Sequence, residues 1–164
     1  MVSASRALRA RALDDAGGAM VEFLGMTLLL LVPLLYLVAT LGRVQAAAYA
    51  AEGAAQSAAR AAVVAGIQRL EAGDPQVEAV GAANGRAQAV AGVAVGDFGI
   101  DPDQVALSLT CSADPCLAPG SDVRADVAVT VSLPGIPGFL SDAGLAVTLH
   151  AHASSPVDDL AGVA

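Results

Sequence analysis

The chain has 164 residues and sets 16 Asp and Glu against 8 Arg and no Lys, for a formal charge of −8. Singly scattered arginines in an acidic chain cannot neutralise a run of phosphates, which argues against a nucleic-acid partner. Aromatic residues make up 3% with no Trp, which argues equally against base-stacking platforms and aromatic-lined ligand pockets.

Mean hydropathy is +0.64, but Ala supplies much of it and buries little area per residue, so the placement of apolar residues matters more than their number. The N-terminal stretch carries Arg6, Arg9 and Arg11, followed by Asp14 and Asp15. From Phe23 to Leu41 there are 19 residues without a charge, bracketed by Glu22 and Arg43. As a helix this segment is about 28 Å long, close to the hydrocarbon thickness of a bilayer. The positive-inside bias predicts a cytoplasmic N-terminus and the rest of the chain outside, a single pass. Pro33 sits mid-span and is expected to bend the helix by removing one backbone hydrogen bond. A removable secretory signal is the alternative, with Val44-Gln45-Ala46 or Ala46-Ala47-Ala48 as the cleavage site. The apolar run is longer than the roughly 7–15 residues such signals use.

A carboxylate at the mouth of an apolar span is costly and normally has a partner or a job. Glu22 stands in Gly17-Gly18-Ala19-Met20-Val21-Glu22-Phe23. Counted from the bond after Gly17, Glu is the fifth residue and Phe the sixth, the pattern of a prepilin processing site behind a basic leader. Cleavage would leave a new ammonium at Gly18, and the Glu22 carboxylate of one subunit would compensate that of a neighbour and set the axial register between subunits. Glycines at both 17 and 18 leave the position of the cut open by one residue. Glu22 snorkelling to headgroups is the plainer alternative.

The segment Gly17–Ala62 resembles the N-terminal region of the TadE/TadF-type pseudopilins, accessory subunits of the tight-adherence (Flp) branch of type IV pilus systems. The resemblance lies in Gly17, the Val21-Glu22-Phe23 triplet, the Pro-interrupted Leu-rich span and the Ala-rich stretch ending Ala58-Ala59-Arg60-Ala61-Ala62. It implies processing by a prepilin peptidase, residence in the inner (cytoplasmic) membrane and a part in pilus assembly alongside sibling pilin subunits. Asp14 and Asp15 depart from the pattern by diluting the leader's positive charge.

Beyond the span, Val44–Leu70 is Ala-rich with no Pro before Pro75, which predicts one continuous helix over about 18–70. The small residues Ala47, Ala51, Ala54, Ala55, Ala58 and Ala62 suit packing either on the chain's own sheet or on another subunit. Asp74-Pro75 reads as an N-cap followed by Pro at the first helical position, and Val77, Val80, Ala83, Ala87, Val90 and Ala94 recur at helical spacing, so a second helix is expected over about 75–94. After Gly96 the period becomes two. Val105 to Cys111, Val123 to Leu133 and Leu145 to Ala153 read as three half-buried strands of one antiparallel sheet. The expected class is α+β, with a leader over 1–17, a membrane segment over 18–42, an extracytoplasmic domain over 43–164 and a flexible tail over 155–164.

Cys111 and Cys116 enclose a short turn and, outside the cytoplasm, read as a disulfide rather than free thiols. His150 and His152 share one side of the last strand but lack an evident third metal ligand. Asp101-Pro102-Asp103 and Asp158-Asp159 lack the Asp-rich loop with terminal Glu that calcium loops use. The apolar loop around Ile136, Phe139 and Leu140 either tucks under the sheet or meets a partner. No cofactor, metal or catalytic constellation is expected. The sequence-based reading is a structural minor pilin, with a singly anchored envelope binding protein that does not polymerise as the alternative.

Overall fold

The computed structural model describes residues 2–133 and 146–159, with side chains from residue 18 onward. Helix α1 spans Val2–Glu71, α2 spans Gln76–Gly96, and a 3-10 turn spans Pro102–Gln104. They are followed by strands β1 (Val105–Cys111), β2 (Asp122–Ser132) and β3 (Ala146–Pro156). The chain divides into two compact units, Met1–Leu41 and Gly42–Ala164. The architecture is α+β. Helix α1 begins well before residue 18, so the basic stretch is helical too, a correction to the expected start. Neither Pro nor a β-branched run interrupts residues 3–20, so nothing local breaks the helix there.

In the Gly42–Ala164 unit both helices stop the same way. Gly73 adopts φ +86°, with Gly73 N–H donating to Leu70 O at 3.0 Å and Asp74 N–H to Arg69 O at 3.0 Å. Gly99 adopts φ +69°, with Gly99 N–H donating to Gly96 O at 2.9 Å and Ile100 N–H to Val95 O at 3.3 Å. These are Schellman motifs, which need a residue without Cβ at the left-handed position. The second is closed by buried Ile100 beside buried Val95. Pro75 is itself the N-cap of α2, one residue later than expected, and no side chain caps the helix. The Asp74 carboxylate is instead engaged by Arg69 across the turn, Nη1 to Oδ2 3.0 Å.

The three strands form one antiparallel meander in the order β1-β2-β3. Val105 pairs with Val129, Cys111 with Val123, Asp122 with Pro156 and Ser132 with Ala146. Period-two side chains put Val123, Ala125, Val127, Val129 and Val131 on the buried face of β2, with Val105, Leu107 and Leu109 beside them from β1 and Val147, Leu149 and Ala151 from β3. The opposite face carries Arg124, Asp126, Thr130, Thr148, His150 and His152. There the Thr130 and Thr148 hydroxyls share a hydrogen bond of 3.0 Å.

The helical half of this core is made almost wholly of alanine. Ala47, Ala50, Ala51, Ala54, Ala55, Ala58, Ala59 and Ala62 of α1 are buried to 1% exposure or less. From α2 come Ala79, Ala83, Ala87, Ala91 and Val95. All belong to one cluster with the valines of β2. The alanine face of α1 is therefore used within the chain, which decides between the two packings left open by the sequence. The buried stripe of α2 runs through Ala79 rather than Val77, which is 83% exposed. Its i, i+4 alanines allow the close approach that a valine row would prevent.

Two loops tie this layer to the sheet. Cys111 and Cys116 are disulfide-bonded, with Cα atoms 5.4 Å apart. The following Leu117, at φ 66°, buries its side chain directly over Gly66 of α1, where a Cβ would overlap it. The Gln76 side-chain amide donates to the Cys116 carbonyl. At the other loop, Val157 N–H donates to Ser121 O at 2.7 Å, Gly120 N–H donates to Val157 O at 3.2 Å, and the Val157 side chain is buried. Residues 155–157 are thus part of strand and core, and the expected flexible tail does not begin at Ser155. The loop bearing Ile136, Phe139 and Leu140 lies outside the described residues.

Candidate functional site

The candidate site is the start of the described part of α1, from Gly18 through the apolar run to Leu41. Gly18 and Glu22, at i and i+4, share one helix face about 6 Å apart along the axis. Phe23 begins the next row and is 70% exposed. Glu22 is exposed, and among the described residues no cation pairs with it. Gly17 is helical; its surroundings fall outside the described side chains.

Every large apolar side chain of this segment is exposed, including Leu24, Leu29, Leu30, Leu34, Leu37 and Leu41. Soluble monomers rarely carry contiguous apolar patches beyond a few hundred Å², and each leucine left in water forgoes about 2 kcal/mol of burial. One helix among the described residues is long and apolar enough to cross a membrane, and it contains this segment, none of which is buried within the chain. Its internal polar groups are arranged for such surroundings. The Thr27 hydroxyl donates to Phe23 O and the Thr40 hydroxyl to Tyr36 O, each at 2.8 Å, so neither needs water. Pro33 lies inside the helix. Having no N–H, it leaves the Leu29 carbonyl without its intrahelical donor.

The remaining sequence candidates lie in the Gly42–Ala164 unit, and the fold does not gather them into a reaction centre. His150 and His152 are exposed on the outer face of β3, opposite Ala128 and Asp126. Asp126 is held by Arg124, Nε to Oδ1 3.1 Å and to Oδ2 3.3 Å, rather than offered to a metal. Asp101 is the N-cap of the 3-10 turn and Asp103 lies within it, and Asp159 faces Gly120. Among the described residues no group of three or more His, Cys, Asp or Glu side chains is placed to hold a metal ion.

One feature of the Gly42–Ala164 unit escaped the sequence reading. A groove of about 690 Å³ runs along the solvent side of α1, where Gly53, Gln56, Ser57, Arg60 and Gln68 meet Arg86 from α2. Arg60 and Arg86 are 26 residues apart in sequence, and only the antiparallel return of α2 along α1 brings them to one groove. The signal was available in the alanine row of α2, which fixes which side of that helix faces outward.

Compared with models of known protein families, with curated proteins and with solved structures, the chain finds no match.

Proposed function

We propose that this protein is a structural minor pilin or pseudopilin that assists assembly of a tight-adherence, type IV-like pilus. The leader over residues 1–17 is removed by a prepilin peptidase, the span anchors the subunit in the inner membrane with its N-terminus cytoplasmic, and the α+β domain stands outside. Glu22 compensates the new N-terminus of a neighbouring subunit, and the Leu-rich helix packs among sibling helices in membrane and fibre. The pilin-like character lies in a long N-terminal helix followed by a small antiparallel sheet. The protein acts by assembly rather than by catalysis.

One observation carries the reading. The apolar face of the outer unit is used up by its own sheet and second helix, whereas the segment beginning with Gly18, Glu22 and Phe23 has every large apolar side chain uncovered. The surface available for lipid and for neighbouring helices is therefore the one that begins at the processing pattern.

The test is the N-terminus of the mature protein, measured by mass spectrometry of host membranes. A chain beginning at Gly18 or Ala19 with the span attached is the expected result. A chain beginning at Met1 would support a plain anchored envelope protein, and one beginning near Ala47 a secreted protein; either would overturn the proposal. In processed protein, Glu22→Ala is expected to leave membrane insertion intact while reducing pilus assembly.

A further inference from the structure

Apart from Arg43, which adjoins the apolar run, the arginines of the Gly42–Ala164 unit divide into two kinds. Arg69 and Arg124 are paired within the chain to Asp74 and Asp126. Arg60 and Arg86 have no carboxylate partner among the described residues, and both line the groove between α1 and α2. In a chain of charge −8, two uncommitted cations facing one groove are unexpected, because carboxylates outnumber them and could have been recruited.

The complementary surface lies on the same unit. The segment between α2 and β1 exposes Asp97, Asp101 and Asp103, none of them ion-paired within the described structure, and the Asp101 carboxylate caps nothing. Between them Phe98 is 48% exposed while Ile100 is buried beneath, so the segment is a firmly seated acidic knob with an aromatic tip. Knob and groove cannot meet within one chain by a local movement. Asp97 caps the C-terminal end of α2, and Arg86 stands on the same helix about 16 Å away along its axis.

We infer that the groove bearing Arg60 and Arg86 receives the acidic knob Asp97–Asp103 of a second copy of this chain. In copies that run parallel the contact joins two different surfaces on neighbours offset by about 16 Å along α2, a stagger open to copies packed in a fibre or released in detergent but not to spans held at one depth of a bilayer. Each copy then leaves one knob and one groove open, and the contact repeats instead of closing into a pair. The charges supply orientation and register, while the floor of Gly53, Ala61 and Ala65 leaves space for Phe98. The parallel, staggered arrangement rests on the pilin reading; the contact itself is independent of leader cleavage.

The experiment uses the full chain solubilised in detergent, where copies are free to stagger, carrying Gln56→Cys in the groove and Gln104→Cys beside the knob, both exposed positions. Mild oxidation is expected to give a ladder of dimers, trimers and longer species, with each single cysteine variant giving no ladder. Arg60→Glu with Arg86→Glu should reduce the ladder by about tenfold or more. Adding Asp97→Arg, Asp101→Arg and Asp103→Arg to that background should restore it. Helix content by circular dichroism and an intact Cys111–Cys116 bond show that each variant is folded. Folded protein that gives no ladder, dimers alone, charge reversal without effect, or cross-links only to a different protein would each overturn the inference. Because the N-terminus of the mature chain is measured separately, failure here is distinguishable from failure of the pilin proposal.

Discussion

The two units of this chain are threaded by the same helix and treat apolar side chains in opposite ways. In the first unit, from Met20 to Leu41, the apolar residues of α1 are mostly large and uncovered, with Leu29 at 75% exposure and Leu35 at 58%. In Gly42–Ala164 they are small and covered, with Ala50, Ala54, Ala55, Ala58 and Ala62 at 0%. Hydrophobic content does not separate the two stretches; side-chain volume does. A helix facing lipid gains from bulk all round, because its environment has no shape to match. A helix seated on another helix and on a sheet gains from closeness, and each methylene beyond Cβ pushes the backbones apart.

The sharpest way to break the comparison is a charge in the first unit. Leu31→Arg places a guanidinium mid-span, where insertion scales put the cost at about 3 kcal/mol. Most of the variant is expected to lose membrane association, measured as the fraction resistant to alkaline extraction, while the Cys111–Cys116 bond still forms in whatever reaches an oxidising compartment. Unchanged membrane retention would show that the segment is not held by lipid. Leu31→Ala should change retention little, since the remaining leucines suffice.

The converse substitution probes the second unit. Ala58→Leu adds three carbons to a site that is 0% exposed and should cost about 2 kcal/mol by overpacking. For a domain of this size that is a fall in Tm of roughly 8 °C, read by circular dichroism of the full chain in detergent, with membrane retention unaffected. A smaller effect belongs to Gly66. There an added methyl meets the end of the Leu117 side chain rather than backbone, so Leu117 can turn aside and Gly66→Ala should cost about 1 kcal/mol. If Gly66→Ala cost more than Ala58→Leu, the loop clamp and not the alanine interface would be the tighter constraint.

The same contrast explains what could be read from the sequence. The long apolar helix, long enough to cross a membrane, was legible in its 19 uncharged residues. The strands were legible because strict alternation puts Val123, Val127 and Val129 inward and Arg124, Asp126 and Thr130 outward. The packing face of α2 was legible only in part, at Ala83 and Ala87. A search for the most apolar periodic residues selects Val77 and Val80, whereas the contact selects Ala79, Ala83, Ala87 and Ala91, because close approach outweighs hydrophobicity per residue. The tail expected from Ser155 misled for a related reason: Ser155-Pro156 closes a run of inward-facing residues that shrink to Ala and Ser, yet both belong to β3 and Val157 is a core residue held by two backbone hydrogen bonds to Gly120 and Ser121. Of the candidate site, Gly18, Glu22 and Phe23 were legible as a linear pattern. The Arg60 and Arg86 groove was not, since it exists only once α2 has folded back.

The smallest expected effect concerns the turn between the helices, where the sequence points to Asp74 as a helix cap and the structure shows an ion pair to Arg69. The two arrangements differ in energy. Loss of a side-chain cap costs about 1 kcal/mol, whereas an ion pair between a 58% exposed Arg69 side chain and a 28% exposed Asp74 side chain is screened by solvent and is worth less than about 0.5 kcal/mol. Arg69→Ala and Asp74→Ala should therefore shift Tm equally and by no more than about 2 °C. The double variant should fall no further than either single one, because each removes the same contact. The chain reversal itself survives both changes, since its two Schellman hydrogen bonds are backbone to backbone and depend on Gly73 at φ +86°. A larger loss for Asp74→Ala than for Arg69→Ala would show that the carboxylate also serves the N-terminus of α2, restoring the capping role that the sequence suggests.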